Sequence, residues 1–166
     1  IIRPTAFFKS LSGQISRVRK GRPYLLFGDG QLTRCKPISD GDLARYIVGC
    51  IDDTARHNQI MPIGGPGPAI TPLEQGERLF ELTGKSARYR RVPVTLMSII
   101  IGTLSLAGLF SKRATAKAEY ARIGQYYATE SMLVWDDEAG CYSEDGTPEF
   151  GSDNLLDHYG KIISKT

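Results

Sequence analysis

Residues Ile1–Ser10 read "IIRPTAFFKS". Ile1-Ile2-Arg3 has the character of a buried strand. Pro4 fits the first turn of a helix, where no N–H donor is required. Phe7, Phe8, Leu11, Ile15 and Val18 then recur at helical spacing, and Gly21 stops the run. A strand leading straight into a helix is the repeating unit of an α/β protein.

The same alternation continues down the chain. "YLLFGDG" (24–30) is a short apolar strand closed by a Gly-Asp-Gly turn. Ser39 can cap a helix with Asp42 reaching back to it, and Leu43, Tyr46, Ile47, Cys50 and Ile51 form the apolar stripe of that helix. "MPIGGPGPAI" (61–70) is a strand followed by a glycine-proline loop. The next helix is strongly punctuated, with Thr71 and Glu74 as a capping box, Pro72 at its first position and Gly84 at its end. "ARYRRVP" (87–93) reads as an edge strand with its charges outward. A helix over 115–132 should make contacts through Tyr120, Ile123, Tyr127 and Met132. A hairpin-like segment with turns at Ala139-Gly140 and Asp145-Gly146 follows. A terminal helix capped by Ser152 packs through Leu155, Leu156, Tyr159, Ile162 and Ile163.

Between Val92 and Ser111 no residue is charged, and Arg90, Arg91, Lys112 and Arg113 flank the run. Its length approaches that of a hydrocarbon core, but hydroxyls, glycines and a proline dilute it. A buried core helix, a helix lying on or against a membrane component, and a span all remain open.

The chain has 166 residues, enough to bury a real core, and a net charge of +3, too small to indicate nucleic acid. Residues 1–34 hold seven Lys/Arg and one acid, whereas residues 136–157 hold eight acids and no base. This asymmetry reflects differently solvated faces or charged partners. Cys35, Cys50 and Cys141 stand far apart and form no CxxC pair, so free thiols are expected and no metal site is indicated. His57 and His158 lack ligand spacing. GxGxxG, Walker, HExxH, GxSxG and Tyr-x-x-x-Lys signatures are absent, and "IGGPGPA" sits before a Thr-Pro cap, as a connector rather than a pyrophosphate cradle. No catalytic residue is assigned.

Four stretches carry a resemblance: "IIRPTAFFKSL", "GDGQLTRCKPISDGDLARYI", "MPIGGPGPAITPLEQGERLFELTGK" and "IGQYYATESMLVWDDEAGCYSEDGTPEFG". Together they resemble the divinyl chlorophyllide a 8-vinyl-reductase family, in the atypical NmrA-like branch of the extended short-chain dehydrogenases. The block "KPIS…DLA…I" is generic to extended dehydrogenases, whereas "GGPG.A.TPLEQGE" and "YYA.ESML" are specific. The resemblance implies an α/β fold, the C-terminal part of an NAD(P)-binding Rossmann-like protein lacking the N-terminal nucleotide-binding half. Residues 1–166 would form one substrate-side region, with late Rossmann elements in 1–63 and the uncharged apolar helix at 92–111.

The implied chemistry is NADPH-dependent reduction of an 8-vinyl group to ethyl in chlorophyll biosynthesis. Pro4, Thr5, Ala6 and Phe7 would run past the nicotinamide end of the cofactor. Phe8 would stack on a flat tetrapyrrole, and Lys36 would meet a propionate. A chlorophyll precursor or pigment is the expected ligand, and the stromal side of a chloroplast thylakoid or envelope membrane the expected location. One departure is the helix after Val92-Pro93, which carries acidic residues in the family pattern and none here. That loss favours a second reading, a non-catalytic accessory subunit of a chlorophyll-containing photosynthetic membrane complex.

Because these residues contain no glycine-rich turn opening a helix, the purified 166-residue chain should show no micromolar NADPH binding. Calorimetric titration measures this directly, and a saturable micromolar isotherm would contradict it.

Overall fold

Among residues 1–165, which the computed structural model describes, three of four strand pairs are parallel. Strand β1 (Ile2–Pro4) pairs with β5 (Met61–Ile63), β2 (Ala6–Phe7) with β4 (Pro37–Ile38), and β3 (Tyr24–Phe27) with β6 (Tyr89–Val92). Parallel strands must be joined by crossovers, here largely helical. These are α1 (Phe8–Leu11) and α2 (Ile15–Arg19), linked by a 3-10 turn, then α3 (Asp40–Asp52) and α4 (Pro72–Thr83). Helices α5 (Val94–Gly108) and α6 (Lys112–Thr129) form a hairpin. An antiparallel pair, β7 (Val134–Asp136) and β8 (Cys141–Ser143), and the helix α7 (Leu155–Ser164) complete the mixed α/β fold.

The opening stretch departs from its sequence reading. Pro4 ends β1 and does not start a helix, which begins only at Phe8. The Thr5 N–H donates to the Ile63 carbonyl at 3.0 Å, which carries the ladder one residue past the proline and keeps the chain extended. The cap signals of α4 are realised. Thr71 Oγ1 accepts from the Glu74 N–H at 3.2 Å, the Glu74 carboxylate accepts from the Thr71 N–H at 2.7 Å, and Gly84 closes the helix at φ +62°.

At α3, Ser39 Oγ accepts from the Asp42 N–H at 2.9 Å, as expected for a cap. The Asp42 side chain does not reach back to Ser39. Its carboxylate, fully buried, accepts from the N–H groups of Ser152 (3.2 Å) and Asp153 (2.9 Å) and pairs with Arg45. Burial pushes its pKa up, but these donors outweigh burial and hold it below the usual carboxylate range. Gly151 makes the approach possible. It sits at φ +100°, and a Cβ there would lie 2.0 Å from Asp42 Cγ. With Ser152 held at Asp42, the cap of α7 falls instead to Asn154, whose Oδ1 accepts from the Leu156 N–H at 2.7 Å.

The larger core cluster joins α2, β3, α4 and α7 through residues including Val18, Leu26, Leu79, Phe80 and Tyr159. A second joins α3 to β4 and β5 through Ile38, Leu43, Tyr46 and Ile63. The stripe of α3 is only partly used, because Leu43 and Tyr46 are buried while Ile47 and Ile51 are exposed. In α6 the buried residues are Ala118 and Ala128, whereas Tyr120, Ile123 and Tyr127 are exposed. The two helices lie close together: a Cβ on Gly108 would meet Thr115 and one on Gly124 would meet Met97, while Arg122 and Gln125 bond the serines of α5.

Helix α5 is not the core helix that its composition allows. Of its described residues only Ile101 is buried. Nor is any helix among the described residues long and apolar enough to cross a membrane. One side of α5 rests on α6, and the other is open.

Gly151→Ala should destabilise the fold by at least about 2 kcal/mol, because both the positive φ and the Asp42 contact oppose a Cβ. Asp42→Asn should cost about 2 kcal/mol by weakening three charge-assisted bonds. Since the folded pKa of Asp42 lies below its unfolded value, its contribution is complete above that unfolded value, about pH 3.9, and disappears as pH falls through the folded value. Urea denaturation of both variants against pH measures each effect.

Candidate functional site

Ligands in open α/β sheets collect beyond the carboxyl ends of the strands, and a cleft borders that end of β1 and extends over Ile60 and Pro62 beside it. It has a volume of about 540 Å³. Arg3, Pro4 and Thr5 form one wall, Tyr126 and Tyr127 of α6 another, and Ser131–Trp135 with Tyr142 a third. An adjoining recess of about 300 Å³ shares Pro4, Thr5, Tyr127 and Met132 with it and adds Ala6, Phe7, Cys35, Gln75 and Glu130. Pro4 and Thr5 thus line both, whereas Ala6 and Phe7 line only the recess.

Their side chains differ in what they offer. Thr5 is buried and its hydroxyl donates to the Lys36 carbonyl, so its polar atoms are already engaged. Ala6 is buried, and Phe7 leaves 37% of its surface exposed beside the recess. Phe8, one residue on, packs the opposite way. It is 4% exposed in the larger core, its ring 5.4 Å from that of His158. Phe8 thus packs into the core and away from the recess that Phe7 lines.

Lys36 is also turned inward. It is buried, lines neither the cleft nor its adjoining recess, and its ammonium is ion-paired with Glu149. That pairing comes first among the causes holding the Glu149 carboxyl below its usual range, followed by the Gly67 N–H, which donates at 3.3 Å. The neighbouring glycine loop is a connector. Gly64 N–H donates to the Pro148 carbonyl at 2.8 Å and Gly65 N–H to the Lys36 carbonyl at 3.1 Å. A Cβ on Gly65 would lie 1.9 Å from the Pro37 oxygen, so close backbone approach explains this glycine.

Sequence reasoning overlooked the aromatic wall. Trp135 and Tyr142 meet edge to face with centroids 5.1 Å apart, and Tyr126 and Tyr127 do so at 5.9 Å. Tyr142 Oη donates to the Glu130 carboxylate at 2.8 Å, the first cause raising the tyrosine's pKa. Burial pushes the Cys35 thiol up to about 12, so it is neutral and unreactive, whereas Cys141, beside Tyr142, is exposed. The available signal was "YYA" followed by "MLVW" and "CY", four rings within seventeen residues. Half-exposed aromatic rings around a cleft suit a flat, largely apolar ligand. No group of three or more His, Cys, Asp or Glu that could hold a metal occurs among the described residues.

No protein-family profile matches the chain. Curated relatives do. The chloroplastic divinyl chlorophyllide a 8-vinyl-reductase of Arabidopsis thaliana is 52% identical over 164 residues, covering 98% of this chain and 39% of its own length. The enzyme of the same name from Cucumis sativus is 51% identical, covering 99% of this chain and 39% of its own. That from Oryza sativa subsp. indica is 52% identical, at 98% and 40%. The chain is homologous to the divinyl chlorophyllide a 8-vinyl-reductases. It spans about two fifths of the length of these reductases, and nearly the whole of it aligns with them. The fold is also that of a solved nucleoside-diphosphate-sugar epimerase from Staphylococcus aureus, with a TM-score of 0.55 at 12% identity over 96% of this chain and 50% of the other.

Glu149→Gln should leave the buried Lys36 ammonium without its counter-charge. The expected loss is about 1 kcal/mol, small because the Glu149 side chain is 41% exposed and solvent screens the pair. Urea denaturation reads the loss. Ligand affinity at the aromatic cleft should be unchanged, because Lys36 does not line it.

Proposed function

We propose that the chain is the substrate-side, C-terminal part of a divinyl chlorophyllide a 8-vinyl-reductase acting in chlorophyll biosynthesis on the stromal side of a chloroplast thylakoid or envelope membrane. The observation that carries this reading is identity of 51–52% across nearly the whole chain to reductases named chloroplastic. The aromatic cleft supports it, since a tetrapyrrole is flat, apolar across its faces and charged at a propionate.

The reaction adds a hydride and a proton across the vinyl C=C bond to give an ethyl group. NADPH supplies the hydride in the proposed whole protein. The residues described here do not form the cradle for its pyrophosphate, because no glycine-rich turn opens a helix and the Gly64, Gly65 and Gly67 N–H groups are occupied within the chain. We therefore assign nucleotide binding to the portion of the protein corresponding to the rest of the reductases, with Pro4–Phe7 as the floor against which the reacting ends of cofactor and pigment meet. This chain's own part is to hold the pigment. Tyr126, Tyr127, Trp135 and Tyr142 cover its faces and exclude water, and Arg3 is the cation at the cleft wall positioned for the propionate.

The test is turnover of divinyl chlorophyllide a by the complete polypeptide with NADPH, the monovinyl product being separated by chromatography. Tyr127→Ala and Trp135→Ala should each raise KM by roughly tenfold by removing ring contacts, with folding intact by circular dichroism. Absence of product, together with co-purification with a chlorophyll-containing membrane complex, would instead support the accessory-subunit reading.

A further inference from the structure

Helix α5 and the turn after it present an apolar stripe, with Thr103 within it, that nothing among the described residues covers. Leu96, Ile99, Ile100, Leu106 and Phe110 are between 43% and 91% exposed, and their three- and four-residue spacing places them along one side. Its two serines face α6, whereas Thr103 lies exposed within the stripe. Ser98 Oγ accepts from Gln125 at 2.7 Å and Ser105 Oγ from Arg122 at 2.9 Å, both on α6, and the Thr103 hydroxyl donates to the Ile100 carbonyl at 2.9 Å. The outward side is therefore uncharged and mainly aliphatic, with the Thr103 hydroxyl turned back onto the helix backbone.

Charge decides what fits there. Between Glu81 and Glu119 the sequence has seven basic residues and no acid. Arg90 and Arg91 are exposed just before α5, and Lys112 and Arg113 just after it. An apolar stripe with cations at both ends matches the surface of an anionic bilayer, where side-chain apolar groups enter the acyl boundary and Lys and Arg meet the headgroups. At 1.5 Å per residue the helix is about 22 Å long, short of a hydrocarbon core of about 30 Å, so it fits along the membrane and not across it.

We propose that α5 is a membrane-docking element that lies flat on an anionic lipid surface. The opposite side of α5 rests on α6, which carries Tyr126 and Tyr127 into the cleft. Docking therefore brings the aromatic site to within one helix of the bilayer, where an apolar ligand would be dissolved. The docking claim stands apart from the reaction catalysed.

The purified protein should co-sediment with vesicles of equal parts phosphatidylcholine and phosphatidylglycerol, and less so as salt rises. Binding should fall by roughly tenfold or more on pure phosphatidylcholine vesicles, in a Leu106→Ser/Phe110→Ser variant and in a Lys112→Glu/Arg113→Glu variant. Both pairs are exposed, so the folded circular dichroism signal should persist. No vesicle binding by the unaltered protein, or equal binding by the folded variants, would overturn the proposal. So would a dimer lost in the serine variant without vesicle binding, which would assign the stripe to a second copy. Stoichiometric capture of an integral membrane protein without lipid binding would assign it to a protein partner and also overturn it.

Discussion

The carboxylate of Asp42 ties the distant parts of this fold together. A charge with no exposed surface needs donors, and it takes them from residues 110 and 111 positions later. Holding Ser152 and Asp153 there fixes the segment just before them. Phe150 is set against Tyr46 at 5.3 Å, Glu149 reaches Lys36, and Lys36 offers its carbonyl to Thr5. Thr5 is the floor of the cleft. The same segment leads into α7, whose Tyr159 hydroxyl bonds the Leu11 carbonyl at 3.0 Å and seals the larger core. One buried acid thus aligns the helix that bears it, the strand edge beneath the cleft and the terminal helix.

Local signals in the sequence translated well. Thr71, Glu74 and Gly84 define α4 because each bonds a backbone group within a few residues of itself, and Pro72 fits the first position, where no donor is needed. The strands at Tyr24 and Met61, and the turn at Gly140, were legible for the same reason. Long-range partners were not. Nothing near Lys36 announces that its counter-charge lies 113 positions away. Phe7 and Phe8 are adjacent and chemically identical, and which one faces a cavity depends on where β2 ends.

Helix α6 misled for a different reason. Hydrophobic periodicity assumes that large apolar residues face the nearest neighbour, but close packing of α5 and α6 favours small ones. Alanine and glycine fill that contact, and the tyrosines are directed to the cleft and to solvent. Aromatic side chains left half exposed by such packing are more informative about ligand chemistry than about stability. The uncharged helix illustrates the same point. Its hydroxyls dilute the average hydropathy, yet Ser98 and Ser105 are spent on partners in α6, which composition could not show.

The three thiols sit in graded environments. Cys35 is buried and neutral, Cys50 is half covered on α3, and Cys141 is open at the start of β8, next in sequence to the Tyr142 that contacts Trp135. Alkylating reagents will therefore discriminate among them without any cysteine having to be removed. Alternation along β8 turns Cys141 to the hairpin face opposite Tyr142, so a label there would mark the back of the aromatic wall and leave the cleft itself unobstructed.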